Sequence, residues 1–268
     1  MDEIQILGYA GALAIGLVLG LMGSGGSLMA VPILTYLFHI SPVTTTAYSL
    51  FVVGTSASIG SFDNLKRGLI DLRLALIFAF PAFITVYGVR RFVMPILPEE
   101  LFRWGGHVVS KDMAIMVFFA LLLLVASLAM IYKPIPSRLR IIGSAGYGCN
   151  YPLLFVEGIL VGAITGFVGI GGGFLIIPAL VFLLKMPMKE AIATSLFIIA
   201  LKSLIGFLGD VGNLEINWFF LLSFTVLSIL GIVLGSYFSA YIKGEKLKQS
   251  FGWFAFVMSL FILYKELS

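Results

Sequence analysis

Gly16-Leu-Val-Leu-Gly20-Leu-Met-Gly23-Ser-Gly25-Gly26-Ser-Leu-Met-Ala-Val-Pro32 returns later in the chain as Gly162-Ala-Ile-Thr-Gly166-Phe-Val-Gly169-Ile-Gly171-Gly172-Gly173-Phe-Leu-Ile-Ile-Pro178, every shared Gly and Pro displaced by 146 residues. Consecutive glycines make poor helix interior and proline lacks an amide hydrogen, so the backbone is expected to unwind between Gly23 and Pro32 and between Gly169 and Pro178. The surrounding chain is 60% hydrophobic and 11% charged over 268 residues, with a mean hydropathy of +1.10. A soluble domain carries about 25% charge, so a water-soluble globule is excluded. Irregular backbone at membrane depth is tolerated only inside protein or against a water-filled cavity. Two breaks therefore point to a central site in an all-α polytopic membrane protein.

Working outward, ten apolar segments can be drawn: Ile4 to Met22, Leu28 to Phe38, Ala47 to Ser61, Leu72 to Val93, Met113 to Tyr132, Pro152 to Val168, Phe174 to Leu184, Ala191 to Leu208, Trp218 to Tyr241 and Phe251 to Leu263. Two of them, Leu28 to Phe38 and Phe174 to Leu184, hold 11 residues, about 16 Å of helix against a hydrocarbon core of about 30 Å. They read as broken or re-entrant half-helices. The polar stretch 133–151, with Lys133, Arg138, Arg140, Pro134 and Pro136, divides the segments five and five. It reads as a cytoplasmic linker between a first transmembrane repeat, 1–132, and a second, 152–268.

The same displacement joins Ala47, Ser49, Leu50, Phe51 and Gly60 to Ala193, Ser195, Leu196, Phe197 and Gly206. With an odd number of crossings per half the two copies are inverted, an arrangement common in secondary transporters. Loop charge agrees. The turn 63–73 holds Lys66, Arg67 and Arg73 while its counterpart 209–217 holds no Lys or Arg, and 185–190 holds Lys185 and Lys189 while 39–46 holds none. Cationic loops mark the cytoplasmic side, which places 63–73, 133–151, 185–190 and 243–250 inside and both termini outside. The stretch from Arg90 to Asp112 dissents, carrying Arg90, Arg91, Arg103 and Lys111 as an external loop.

The formal net charge of +4 lies in loops and helix ends, where membrane topology explains it better than nucleic acid does. Cys149 is the only cysteine, so no intrachain disulfide forms and the redox compartment is not legible. Met1-Asp2-Glu3-Ile4 lacks a cationic n-region, and the first span is expected to be retained. His39 and His107 have no metal-ligand spacing to other donors. Gly23-Ser24-Gly25 could suggest a serine nucleophile, but Ile170 replaces Ser24 in the second copy and no histidine lies within a span to act as base. No strand precedes either glycine cluster and no Lys-Ser/Thr follows, against a nucleotide loop. Neither enzyme activity nor a cofactor is expected.

A helix restarting after a glycine turn offers free amides and a positive dipole end, and absent side chains let a ligand come close. Gly23, Ser24, Gly25, Gly26 and Ser27 in one copy, and Gly169, Gly171, Gly172 and Gly173 in the other, are therefore candidate oxyanion ligands. The alternative is that glycines only let helices approach, as the spaced pairs Gly16/Gly20 and Gly162/Gly166 can. Lys202 lies deep in an apolar span, where an unpaired cation costs about 2.5–3.5 kcal/mol. Ser195 shares its face, and Ser49 and Ser56 are the equivalents of Ser195 and Lys202 in the first half. Lys202 is thus an anion ligand or proton-linked group, or else it snorkels or pairs with a carboxylate on another helix. Asp63, Asn64, Asp210 and Asn213 read first as turn caps.

These duplicated glycine clusters, their closing prolines and the Ala-x-Ser-Leu-Phe stretches 47–51 and 193–197 resemble the TauE/SafE-type sulfite exporters, also called toluene sulfonate uptake permeases. The resemblance runs over nearly the whole chain. It implies a multi-pass permease of a prokaryotic plasma membrane, carrying a sulfur-containing or organic oxyanion such as sulfite, thiosulfate, a sulfonate or sulfoacetate. The partners so implied are a small anion and the lipid bilayer, with no nucleic acid and with homo-oligomerisation open. An anion channel, or a membrane subunit serving a soluble sulfur-handling partner, are the competing functions. Ser24 and Ser27 stand opposite Ile170 and Gly173, which argues against equal roles for the two halves.

Overall fold

The structure is a computed structural model that describes residues 3–23, 25–98, 100–104, 107–132, 151–168, 173–182, 184, 186–239, 241–242 and 244–267. Helices α1 (Glu3–Met22), α2 (Gly25–Tyr36), α3 (Pro42–Lys66) and α4 (Leu72–Gly88) are followed by a π-helical turn (Val89–Val93) and a short α5 (Met94–Ile96). A hairpin of β1 (Glu100–Trp104) and β2 (His107–Ser110) leads to α6 (Lys111–Tyr132). Then come α7 (Tyr151–Val168), α8 (Gly173–Phe182), α9 (Met188–Asp210), α10 (Trp218–Ser239) and α11 (Gly244–Leu267). Each of the ten apolar segments is centred on its own helix. Among the described residues four stretches, Gln5–Met22, Leu72–Ile96, Met188–Asp210 and Trp218–Ser239, are long and apolar enough to cross a bilayer.

Local chemistry sets the helix starts. Ser41 Oγ accepts from Thr44 N, and Pro42 opens α3 where its missing N–H costs nothing. Asp71 Oδ1 accepts from Leu74 N at the start of α4, and Asn217 Oδ1 accepts from Phe220 N at the start of α10. These last two caps are 146 residues apart, as are their partners.

That displacement recurs throughout the packing, with helices of one half meeting exchanged helices of the other. A Cβ on Gly16 of α1 would lie 1.8 Å from Ser228 O of α10, and one on Gly162 of α7 would lie 2.5 Å from Ala82 O of α4. Gly60 presses on Ile232, and its equivalent Gly206 presses on Val86. Asn217 N donates to Tyr48 Oη at 2.7 Å, while Asp71 N donates to Thr194 Oγ1 at 3.3 Å. In every pair each residue is replaced by its repeat equivalent, which is the signature of a twofold-related duplication. At its centre α3 and α9 run antiparallel, with Gly54 against Leu204 and the Phe51 and Phe207 rings 4.9 Å apart. The span in α9 is 72% buried, against 39% for those starting at α4 and α10, whose outer faces expose residues such as Phe80, Ile84, Phe219 and Val233 to lipid.

Three expectations need correction. The first break is shorter than Gly23 to Pro32. α1 ends at Met22, Gly23 N donates to Leu19 O with φ +74°, and helix resumes at Gly25 with Pro32 inside it. Gly23 is a left-handed helix C-cap, a conformation that glycine adopts without a Cβ penalty. Pro178 likewise sits inside α8, which opens at Gly173; Ser24, residues 169–172 and residues 133–150 of the linker lie outside the described residues. Second, the dissenting stretch from Arg90 to Asp112 is not a plain loop. The helix carries on from α4 through the π turn to Ile96, and the described residues depart from an all-α fold only in the β1–β2 hairpin, paired Phe102 to Val109 and Trp104 to His107. Third, Arg90 is fully buried rather than external.

α2 folds back along α1: a Cβ on Gly26 would touch Ile15 O, Gly11 meets Ile33, and Gly8 meets Phe38. At 12 residues α2 rises about 18 Å, and α8 at 10 residues about 15 Å, so neither crosses the hydrocarbon by itself. Both are half-helices by length.

Candidate functional site

Lys202 sits on α9 with its side chain buried, and its Nζ donates to Thr165 Oγ1 of α7 at 3.2 Å. Among the described residues no carboxylate is within ion-pair distance of Lys202. Thr165 lies one turn before the end of α7 at Val168, beside the second glycine cluster. Burying a cation in this span with one hydroxyl as its partner among the described residues is costly.

The small polar groups around it divide by partner. Ser195 Oγ bonds Ile192 O on its own helix, and Ser56 Oγ bonds Ser228 Oγ of α10 at 3.0 Å. Ser49 Oγ and Ser203 Oγ are buried and without a hydrogen-bond partner among the described residues. Ser27 is also buried. Gly23 packs on Ile192, so the first break and the Ser195 end of α9 come together. Gly25 and Gly26 touch Val18 and Ile15 of α1, which gives both glycines a packing role. Gly173 is the first residue of α8; Ser24, Gly169, Gly171 and Gly172 are outside the described residues.

Two cavities of about 260 Å³ open at opposite ends of the α3/α9 pair. One is lined by Gly20, Asn64, Arg67, Lys189, Ile192 and Ser236, and it adjoins the Gly23 cap through Ile192. The other is lined by Val43, Arg90, Met94, Lys111, Asp210 and Asn213. Asn64, Arg67, Lys189 and Ser236 are the repeat equivalents of Asp210, Asn213, Val43 and Arg90. The cavities are therefore one feature present twice, as an inverted duplication requires. Ser49 and Ser56 on α3, and Ser195 and Lys202 on α9, fall between them.

Arg90 and Asp210 were not among the residues favoured from sequence. Arg90 Nη1 donates to Asp210 Oδ2 at 3.1 Å and to Thr46 Oγ1 at 2.9 Å, joining the π turn of one half to α9 of the other and to α3. Asp210 does end its helix, but it is buried and ion-paired rather than a simple turn cap. A π turn inside an α-helix commonly marks a functional position. The signal was present in the sequence: Arg90 falls within the apolar segment Leu72 to Val93, and an intramembrane arginine calls for a carboxylate partner. Asn213 behaves as expected in part, its Nδ2 bonding Gly209 O, but its Oδ1 also accepts from Arg91 Nη1.

The family model described as sulfite exporter TauE/SafE matches residues 8–262. A probable membrane transporter protein of Xylella fastidiosa is 27% identical over 255 residues, covering 94% of this chain and 92% of the relative. The Bacillus subtilis probable membrane transporter protein YunE is 28% identical, covering 78% and 80%, and YdhB of the same organism is 22% identical, covering 88% and 91%. No solved structure matches the chain. Apolar helices, a duplicated inverted core and a family match running almost end to end agree, and the chain belongs to the TauE/SafE sulfite exporter family of multi-pass membrane transporters.

Proposed function

We propose that the chain is a secondary transporter that carries a sulfur-containing or organic oxyanion, such as sulfite, thiosulfate, a sulfonate or sulfoacetate, across a prokaryotic plasma membrane. The observation that carries this reading is Lys202, a buried ammonium whose protein partner is the Thr165 hydroxyl, placed one turn from a glycine-rich helix break. An oxyanion would supply the missing counter-charge, taking further hydrogen bonds from amides around Gly23 to Ser27 and Gly169 to Gly173 and from Ser49 and Ser195. Among the described residues the Ser49 hydroxyl has no partner and is open to this use.

Paired cavities at the two ends of α3 and α9 suit alternating access, in which one repeat rocks against the other and each vestibule opens in turn. Proton coupling is the energy source we favour, because the chain carries no nucleotide-binding motif. The cytoplasmic vestibule would be the one with Arg67 and Lys189, following the cationic loops. Purified protein in proteoliposomes is expected to exchange labelled sulfite against unlabelled sulfite inside. Lys202→Ala and Gly171→Leu should each lower that counterflow at least tenfold. Unchanged flux in both variants overturns the site, and conductance without counterflow overturns the carrier mechanism.

A further inference from the structure

The cavity at the N-terminal end of α3 is lined by a second buried cation besides Lys202, Arg90. Arg90 is fully buried, yet among the described residues its Nη1 is engaged, by Asp210 and Thr46, while its Nε and Nη2 find no hydrogen-bond partner. Buried donors are nearly always satisfied, so two orphans on one side chain require an explanation. Nε and Nη2 form one edge of the guanidinium, the pair of parallel N–H groups that grips two oxygens of a carboxylate, sulfonate or phosphate. Arg90 lines a cavity of about 260 Å³ that could admit a small ligand.

The neighbours fix the ligand's charge and orientation. Asp210 Oδ2 holds Nη1, and this ion pair with Thr46 Oγ1 keeps the plane of Arg90 turned. Lys111, whose Nζ donates to Met94 O, also lines the cavity. Arg90 and Lys111 bring positive charge to the cavity lining and Asp210 negative charge. Asp210 lies against Arg90 and repels a second negative charge there, which favours a monoanion over a dianion. Arg90 is linked to the Lys202 region through packing: Val89, next to Arg90, packs against Gly166, and Gly166 follows Thr165, the partner of Lys202.

We propose that Arg90, held by Asp210 and Thr46, is the fork of a vestibular binding site for a monoanionic oxyanion of the sulfonate or carboxylate type, one step out from Lys202. This rests on the transport reading only for the sign and kind of ligand. Methanesulfonate and sulfate serve as probes, titrated by calorimetry into the purified full-length protein in detergent. The wild type is expected to bind methanesulfonate more tightly than sulfate. Arg90→Lys keeps a cation opposite Asp210, and so keeps the fold, but loses the fork; its affinity should fall at least tenfold. Asp210→Asn keeps an acceptor for Nη1 while removing a negative charge; it should bind sulfate more tightly than the wild type does and so narrow the preference. Lys202→Ala is expected to lose transport, and the methanesulfonate binding that remains in it should disappear when Arg90→Lys is added. Folded Arg90→Lys with unchanged affinity overturns the proposal, and so does a wild type that binds neither probe. Counterflow lost in Lys202→Ala but normal in Arg90→Lys would sink the vestibular site while leaving the transport reading intact.

Discussion

The two cavities share a backbone and differ in chemistry. Where one has Arg90, Asp210 and Thr46, the other has Ser236, Asn64 and Ile192 at the equivalent positions. In the first a salt bridge crosses between the halves with both partners buried. In the second, Asn64 Nδ2 merely bonds Gly60 O on its own helix, and the ion pair there, Arg67 with Asp63, is half-exposed and local. Duplication conserves what the backbone needs, namely caps, glycine contacts and helix starts. It leaves the side chains lining each vestibule free to diverge. An inverted repeat with chemically unequal ends can bias which face recognises the anion and which releases it.

The comparison breaks most severely if the shared glycine contacts are filled. Gly16→Leu would drive a Cβ into Ser228 O, and Gly162→Leu would do the same to Ala82 O. Backbone cannot step aside as a rotamer can, so each should exceed the ~1–3 kcal/mol typical of overpacking. Neither is expected to give a monodisperse peak in detergent size-exclusion chromatography. Gly88→Leu, where nothing lies within 4 Å of the added Cβ, is the control and should behave as wild type.

Less drastic, and more specific to the asymmetry, is truncation at the two equivalent polar positions. Asp210→Ala strands a buried arginine, which costs about 3–5 kcal/mol. Asn64→Ala removes a hydrogen bond within one helix, worth about 1 kcal/mol. Thermal unfolding of the two variants in the same detergent should therefore separate them clearly, with Asp210→Ala much the lower. Equal melting temperatures would mean that the buried salt bridge does not distinguish the ends.

The fold was legible because membrane spans and glycine-proline punctuation are written directly in the sequence. The shared displacement of Gly16, Gly20, Gly60 and Ala47 with their partners carried the repeat, and the short lengths of α2 and α8 carried the half-helices. The site was legible only in part. Lys202 stood out because a lone charge in an apolar run is costly. Arg90 did not, because it follows a long apolar stretch and sits beside Arg91, so it reads as the start of a loop; the π turn that tucks it inward depends on a carboxylate 120 residues away. Pro32 misled in the opposite direction. Proline is unfavourable in a helix interior, yet α2 packs against α1, α3 and α11, and tertiary contact holds it helical despite the missing amide.

The smallest expected difference tests how faithful the duplication is where no anion is involved. Asp71 and Asn217 cap equivalent helices through bonds of 3.1 Å each, from Leu74 N and from Phe220 N. Replacing either by Ala should cost about 1 kcal/mol. Asp71 alone adds a negative charge beside the positive end of a helix, worth about 0.3–1 kcal/mol and screened by salt. Asp71→Ala is thus expected to be the more destabilising of the two at low ionic strength, with the gap closing as salt is raised. A gap that persists in high salt would trace instead to the flanking contacts, because Asp71 N is tied to Thr194 on α9 while Asn217 N is tied to Tyr48 on α3. Those two links are themselves repeat equivalents. A salt-independent difference would show that divergence between the halves reaches the backbone connections as well as the vestibules.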